Sequence, residues 1–91
     1  MVRPKLHRRI KHNPRVKYFK PRGIPLKELE VEELTREEAE ALRLKNIKEL
    51  GQIECAEKMN TSQSTFQRIL SSAYKKLSKA VIEGRAIKIK E

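Results

Sequence analysis

All four prolines, Pro4, Pro14, Pro21 and Pro25, fall within the first 25 positions of a 91-residue chain. Proline fixes φ, lacks the N–H that a helix interior uses, and biases the residue before it away from helical geometry. Residues up to Gly23 are therefore extended or turning, and long helices are confined to the remainder of the chain. Within the proline-bearing part, Val16-Lys17-Tyr18-Phe19 has the composition of a short strand. Pro25 suits the first turn of a brief helical segment over Leu26 to Leu29.

Helix signals are stronger afterwards. Thr35 followed three residues later by Glu38 forms a capping box, and Glu37, Glu38 and Glu40 place negative charge near the positive end of the helix dipole. Ala39, Leu42, Ile47 and Leu50 extend that helix as an apolar stripe until Gly51 interrupts it. A short amphipathic run, Gln52 to Met59, comes next. Asn60-Thr61-Ser62 reads as a tight turn, since Asn tolerates a left-handed backbone and Ser or Thr caps the following helix. That helix is long: Phe66, Ile69, Leu70, Ala73, Leu77, Ala80 and Val81 recur at three- and four-residue spacing, and Gly84 supplies the stop. Ala86-Ile87-Lys88-Ile89-Lys90 then alternates apolar and basic residues, which is a strand pattern.

The expected fold is mostly α. A basic extended N-terminal arm or strand segment over residues 1–23 leads into a helical domain over 24–84, and a short C-terminal strand occupies 85–91. At 37% hydrophobic the chain can build one modest core. No stretch approaches the roughly 18 consecutive apolar residues of a spanning helix, and the basic N-terminus is not followed by the apolar run of a signal peptide. A membrane role is thus not expected, and a cytoplasmic location is. The single cysteine, Cys55, offers no intrachain disulfide.

Charge is distributed unevenly. The chain holds 22 Lys+Arg against 12 acidic residues, for a net charge of +10. Met1 to Gly23 contains 9 basic residues and no acid, Ile24 to Lys58 contains 6 against 10, and Met59 to Glu91 contains 7 against 2. Two basic ends around an acidic middle suggest that one face meets a polyanion while another is kept off it or meets something basic. The alternative is that the Glu-rich stretch is the solvated side of a helix.

The short helix, tight turn and longer helix make the grammar of a helix-turn-helix, although paired helices of this kind also occur as purely structural hairpins. In that arrangement Ala56 allows two crossing helices to approach, and Phe66 and Ile69 anchor the second from below. Gln63, Ser64, Gln67 and Arg68 are left on the outward side of its first turns. Gln can pair bidentately with adenine and Arg with guanine in the major groove, so these four are the expected base-reading residues. Thr61, Ser62, Ser71, Lys75 and Lys76 suit phosphate contacts. Duplex DNA is the expected partner.

The residues also carry a family resemblance. Leu42-Arg43-Leu44, Ala56-Glu57-Lys58-Met59, Ser64-Thr65-Phe66 and the Ala73-x-x-Lys76-Leu77 tail resemble region four of bacterial sigma factors and the related response-regulator domains. Over nearly the whole chain, Arg3-Pro4-Lys5, Arg8-Arg9-Ile10, Tyr18-Phe19-Lys20-Pro21, Gly23-Ile24-Pro25-Leu26, Leu34-Thr35, Glu40-Ala41-Leu42-Arg43-Leu44-Lys45 and Phe66-x-Arg68-Ile69-Leu70 resemble a narrower group. That group is an uncharacterised prokaryotic family of small predicted DNA-binding proteins, domain-of-unknown-function family 134. The resemblance implies a DNA-binding role resting on the helix-turn-helix. The sequence departs from the family pattern at Gly51, where a Ser capping the first motif helix is expected and Gly is a cap of nearly comparable quality, at Ile53, where an acid is usual, and at His7, where relatives often carry Cys.

The Arg3, Lys5, Arg8 and Arg9 cluster has three readings: an arm along the minor groove gripping phosphates, a solvated tail, or part of a segment that pairs with the Ile87–Ile89 strand in cis or across a dimer. His7, His12 and Cys55 lack close ligand spacing, so neither a metal nor another cofactor is expected. Nor is catalysis. The chain has no Asp, its three glycines are not clustered in a phosphate loop, and nothing near Cys55 activates its thiol. The expected role is a sequence-specific duplex DNA-binding protein, a transcriptional regulator acting as a homodimer, because one helix reads few base pairs and two on a two-fold axis reach half-sites one turn apart. Two rival roles remain open. One is a small basic RNA- or ribosome-associated protein; the other is an interaction module docking through the acidic Glu28 to Glu40 stretch, for instance on RNA polymerase.

Overall fold

The computed structural model describes residues 17–90. Its first full helix starts where the capping box requires. Thr35 Oγ1 accepts from the Glu38 N–H at 3.1 Å, and Glu38 Oε1 accepts from the Thr35 N–H at 2.8 Å. Two N–H groups that a helix start would leave unsatisfied are thereby bonded, and helix α1 spans Arg36–Leu42.

Helix α1 continues into a wider π-helical turn, Arg43–Ile47, closed by the Lys48 N–H donating to the Arg43 carbonyl at 2.9 Å. The wider turn shifts the apolar stripe. Ala41 and Leu44 are buried, whereas Ile47, expected on a stripe with Ala39, Leu42 and Leu50, is 75% exposed. The helical path has ended before Gly51: Glu49, at φ 58°, reverses the chain. Gly51 does not interrupt a helix but serves as the N-cap of the next, α2, Gln52–Lys58.

The corner after α2 is set by hydrogen bonds to its last carbonyls. Asn60 sits at φ 58°, its N–H donates to the Glu57 carbonyl at 3.0 Å, and the Thr61 N–H donates to the Ala56 carbonyl at 3.0 Å. This is a Schellman motif, with Asn in the left-handed position that glycine usually takes. Ser62 then caps helix α3, Gln63–Glu83, its Oγ accepting from the Thr65 N–H at 3.1 Å. Beneath the corner Ala41, Leu44, Cys55, Ala56, Met59, Phe66 and Leu70 form the core, flanked by Leu42, Leu50 and Ile69. Gly84, at φ 70°, stops α3.

Among the described residues three strands form a small sheet: β1, Tyr18–Phe19, β2, Val31–Leu34, and β3, Ala86–Ile89. β3 lies in the middle, antiparallel to β1 (Tyr18 opposite Lys88, Phe19 opposite Ile87) and parallel to β2 (Val31 opposite Ala86, Leu34 opposite Ile89). The Tyr18–Phe19 part of the N-terminal segment thus pairs with β3 within the same chain. Ala73, Ala80 and Ala86 are buried together with Leu34, and such small side chains let α3 approach the sheet closely.

Two further expectations fail. Strand β2 lies within the stretch read as helical, because its partner is more than fifty residues away and its two glutamates mask any alternation. Val81, placed on the buried stripe of α3, is 74% exposed. Its neighbour on the same expected stripe, Ala80, is buried. The molecule is thus mostly helical, with the sheet clasping the far end of α3.

Candidate nucleic-acid interface

Helix α3 has one face in the core and the opposite face bare. Phe66, Leu70, Ala73 and Ala80 occupy the first. Ser64, Arg68, Ser71 and Lys75, at spacings of four, three and four residues, form an exposed stripe on the second, and exposed Gln63 and Gln67 flank it on the side toward α2. The structure therefore brings together all four expected base-reading residues, with Ser71 and Lys75 beside them. Among the described residues Arg68 and Lys75 make no hydrogen bond or ion pair.

The amides on this face hydrogen-bond to one another. Gln63 Nε2 donates to Gln52 Oε1 at 3.1 Å, Gln52 Nε2 donates to Gln67 Oε1, and Gln67 Nε2 donates to Ser71 Oγ at 3.1 Å. Gln52, at the start of α2, is not singled out by the sequence. Its only sequence signal is its place as the first residue of the shorter helix, and spacing cannot show a contact made across a turn. Ser62 and Thr61, expected at phosphates, sit at the corner itself: the Ser62 hydroxyl caps α3 and donates to Thr65 Oγ1 at 2.9 Å, and Thr61 is half-buried.

Lys76 behaves unlike Lys75. One residue further along a helix is a turn of roughly 100°, which carries Lys76 off the bare face toward α1 and β2. Its Nζ donates to Glu38 Oε1 at 2.9 Å and to the Glu33 carbonyl at 2.6 Å. Its ammonium, expected at a phosphate, is thus engaged by Glu38 and the Glu33 carbonyl, with the Lys76 side chain still 29% exposed. Glu38, only 5% exposed, also accepts from Ser72 Oγ at 2.5 Å. Burial pushes its carboxyl upward, but the Ser72 hydrogen bond, the Thr35 N–H and the Lys76 ammonium outweigh this and hold it below the ordinary glutamate value.

Other acids of the middle segment are also paired within the chain. Arg85 Nη1 meets Glu30 at 3.0 Å and Glu32 at 2.9 Å, and Nη2 meets Glu83 at 2.8 Å. Arg43 grips the buried Glu40 through two hydrogen bonds of 2.9 Å. Lys90 stands 3.8 Å from Glu33. Within the Glu-rich stretch, Glu30, Glu32, Glu33, Glu38 and Glu40 thus meet basic residues of their own chain, while Glu28, Glu30 and Glu33 also remain exposed to solvent.

Arg3, Lys5, Arg8, Arg9, His7 and His12 lie outside the described residues. Cys55 is buried, burial pushes its thiol up, and its Sγ donates to the Leu50 carbonyl at 3.7 Å. Among the described residues no group of three or more His, Cys, Asp or Glu side chains converges to hold a metal ion. No helix among them is long and apolar enough to cross a membrane.

Comparison with known proteins places the chain. The model of a family described as a protein of unknown function, DUF134, matches residues 1–91. The chain belongs to the DUF134 family. Similar proteins, each described as a UPF0251 protein, occur in Dehalococcoides mccartyi (52% identical over 89 residues), Desulforudis audaxviator (51% over 89) and Halothermothrix orenii (47% over 88). They cover 97 or 98% of this DUF134 chain, which in turn spans 76%, 58% and 65% of their respective lengths. No solved structure matches this DUF134 protein.

Proposed function

We propose that the protein binds duplex DNA through a helix-turn-helix formed by α2 and α3 and acts as a transcriptional regulator. The observation that carries this reading is the outer face of α3. It gathers hydrogen-bonding side chains of the kinds that read base edges, Gln63, Ser64, Gln67 and Arg68, around a guanidinium that the described residues leave unpaired. In this reading α3 enters the major groove, Ser71 and Lys75 contact phosphates, and Thr61 and Ser62 approach the backbone from the corner. The net charge of +10 adds non-specific attraction to the polyanion.

Two copies on a two-fold axis extend the reading, since one helix covers only a few base pairs. Val81 and Ile82, 74% and 82% exposed on the same helix, support a self-association surface. The site of action would be the cytoplasm, and no catalytic step or cofactor is involved. Selection from a pool of random duplexes tests the proposal. Enrichment of a palindrome is the expected result. Enrichment of no sequence, or preferential competition by RNA, overturns it.

A further inference from the structure

The exposed face of α3 contains a directional chain of donors that begins and ends on it but passes through another helix. Gln63 donates to Gln52, Gln52 to Gln67, and Gln67 to Ser71. In this arrangement the partners give each amide a definite sense. The Gln67 oxygen is turned toward α2 and its nitrogen toward Ser71, while Gln63 directs its nitrogen at the Gln52 oxygen.

An isolated primary amide turns readily, exchanging oxygen for nitrogen, yet the two ends are opposite in hydrogen-bond character. The edge of adenine has the same polarity: it presents an N–H donor beside a ring-nitrogen acceptor, and a glutamine matches it only with its amide the right way round. Each amide oxygen has a second lone pair and each NH₂ a second hydrogen. Gln67 can therefore keep its bonds to Gln52 and Ser71 and still offer one acceptor and one donor to a base. Ordering it beforehand also means that less rotamer freedom is lost on binding.

We infer that Gln52 is a positioning residue for base recognition, fixing the orientation of the Gln63 and Gln67 amides from outside the reading helix. The inference rests on the reading of the outer face of α3 as the base-contacting surface. It assigns to α2 a part in sequence preference that packing alone would not give it. Gln52 acts through its neighbours, so its loss is distinct both from loss of a phosphate contact and from loss of stability.

The test uses the full chain, random-duplex selection and the variants Gln52→Ala, Gln52→Glu and Arg68→Ala. Gln52→Ala is expected to lose about tenfold discrimination at base positions that Arg68→Ala leaves intact. Gln52→Glu is expected to alter the preference at those same positions, because the introduced carboxylate can accept from Gln63 but cannot donate to Gln67. Both melting temperatures should stay within about 3 °C of the unaltered protein, as for other surface substitutions. An unchanged preference in Gln52→Ala overturns the inference. So does equal weakening on every sequence, which marks a phosphate contact, or a loss accompanied by a matching fall in melting temperature. If the unaltered protein enriches no sequence, the underlying DNA reading fails first and the inference falls with it.

Discussion

The two sides of α3 treat their cations in opposite ways. On the bare side Arg68 and Lys75 make no pair among the described residues, and the polar groups around them bond mostly to one another. On the side facing α1 and the sheet, Lys76 is held by Glu38, and beyond the helix end Arg85 is held by Glu30, Glu32 and Glu83. Each of these four cations is thus either a clasp between elements or a charge offered to solvent, and its neighbours decide which. Total charge cannot tell the two apart.

The comparison can be broken first through what both sides share. Phe66 is wholly buried beneath the bare face and belongs to the core that joins α1, α2 and α3. Phe66→Ala should cost about 3–5 kcal/mol of unfolding free energy, measured in denaturant. A loss below about 1 kcal/mol would mean that the bare face does not depend on that core.

Glu38→Ala attacks the clasped side alone. It removes half of the capping box and the partner of Lys76, and should cost about 2 kcal/mol. The same group gives a pH signature. Its folded-state pKa is lowered, so its contribution is fully present above the ordinary glutamate pKa of about 4.3 and fades as pH falls through the lower folded-state value. Stability of Glu38→Ala should therefore fall less steeply on acidification than that of the unaltered protein. Equal slopes would remove Glu38 from the account of the clasp.

Asn60→Ala tests the corner between α2 and α3. An alanine forced to φ near 58° should cost about 1–2 kcal/mol in thermal or denaturant unfolding, and Asn60→Gly much less.

The finest division is between neighbours. Lys76→Ala should lower stability by about 1 kcal/mol and leave the salt dependence of DNA binding unchanged. Lys75→Ala should leave stability within about 0.5 kcal/mol and reduce the slope of log affinity against log salt by about one. Equal effects of the two on that slope would erase the distinction between clasped and offered charge.

Legibility in the sequence depends on the range over which each signal acts. The capping box at Thr35 and Glu38, the turn at Asn60, the start of α3 and the stop at Gly84 all depend on a few adjacent residues, and the structure has each in place. The apolar stripe fails at Ile47 because one π turn changes the period. Strand β2 is hidden because Val31-Glu32-Glu33-Leu34 has no strand signature without β3 beside it. In the candidate site, the helical face carrying Gln63, Ser64, Gln67 and Arg68 is readable from spacing. The commitment of Lys76 to Glu38 and the place of Gln52 are not, since each is a contact between separate elements.

The order of the strands also governs how the chain acquires its shape as it is made. β1 and β2 emerge from a ribosome well before β3, and both need β3 because it lies between them. The α1–α2–α3 corner can form from local contacts while the two outer strands still lack a neighbour. Synthesis is therefore expected to bring the helical corner together first and to leave the sheet as the closing step.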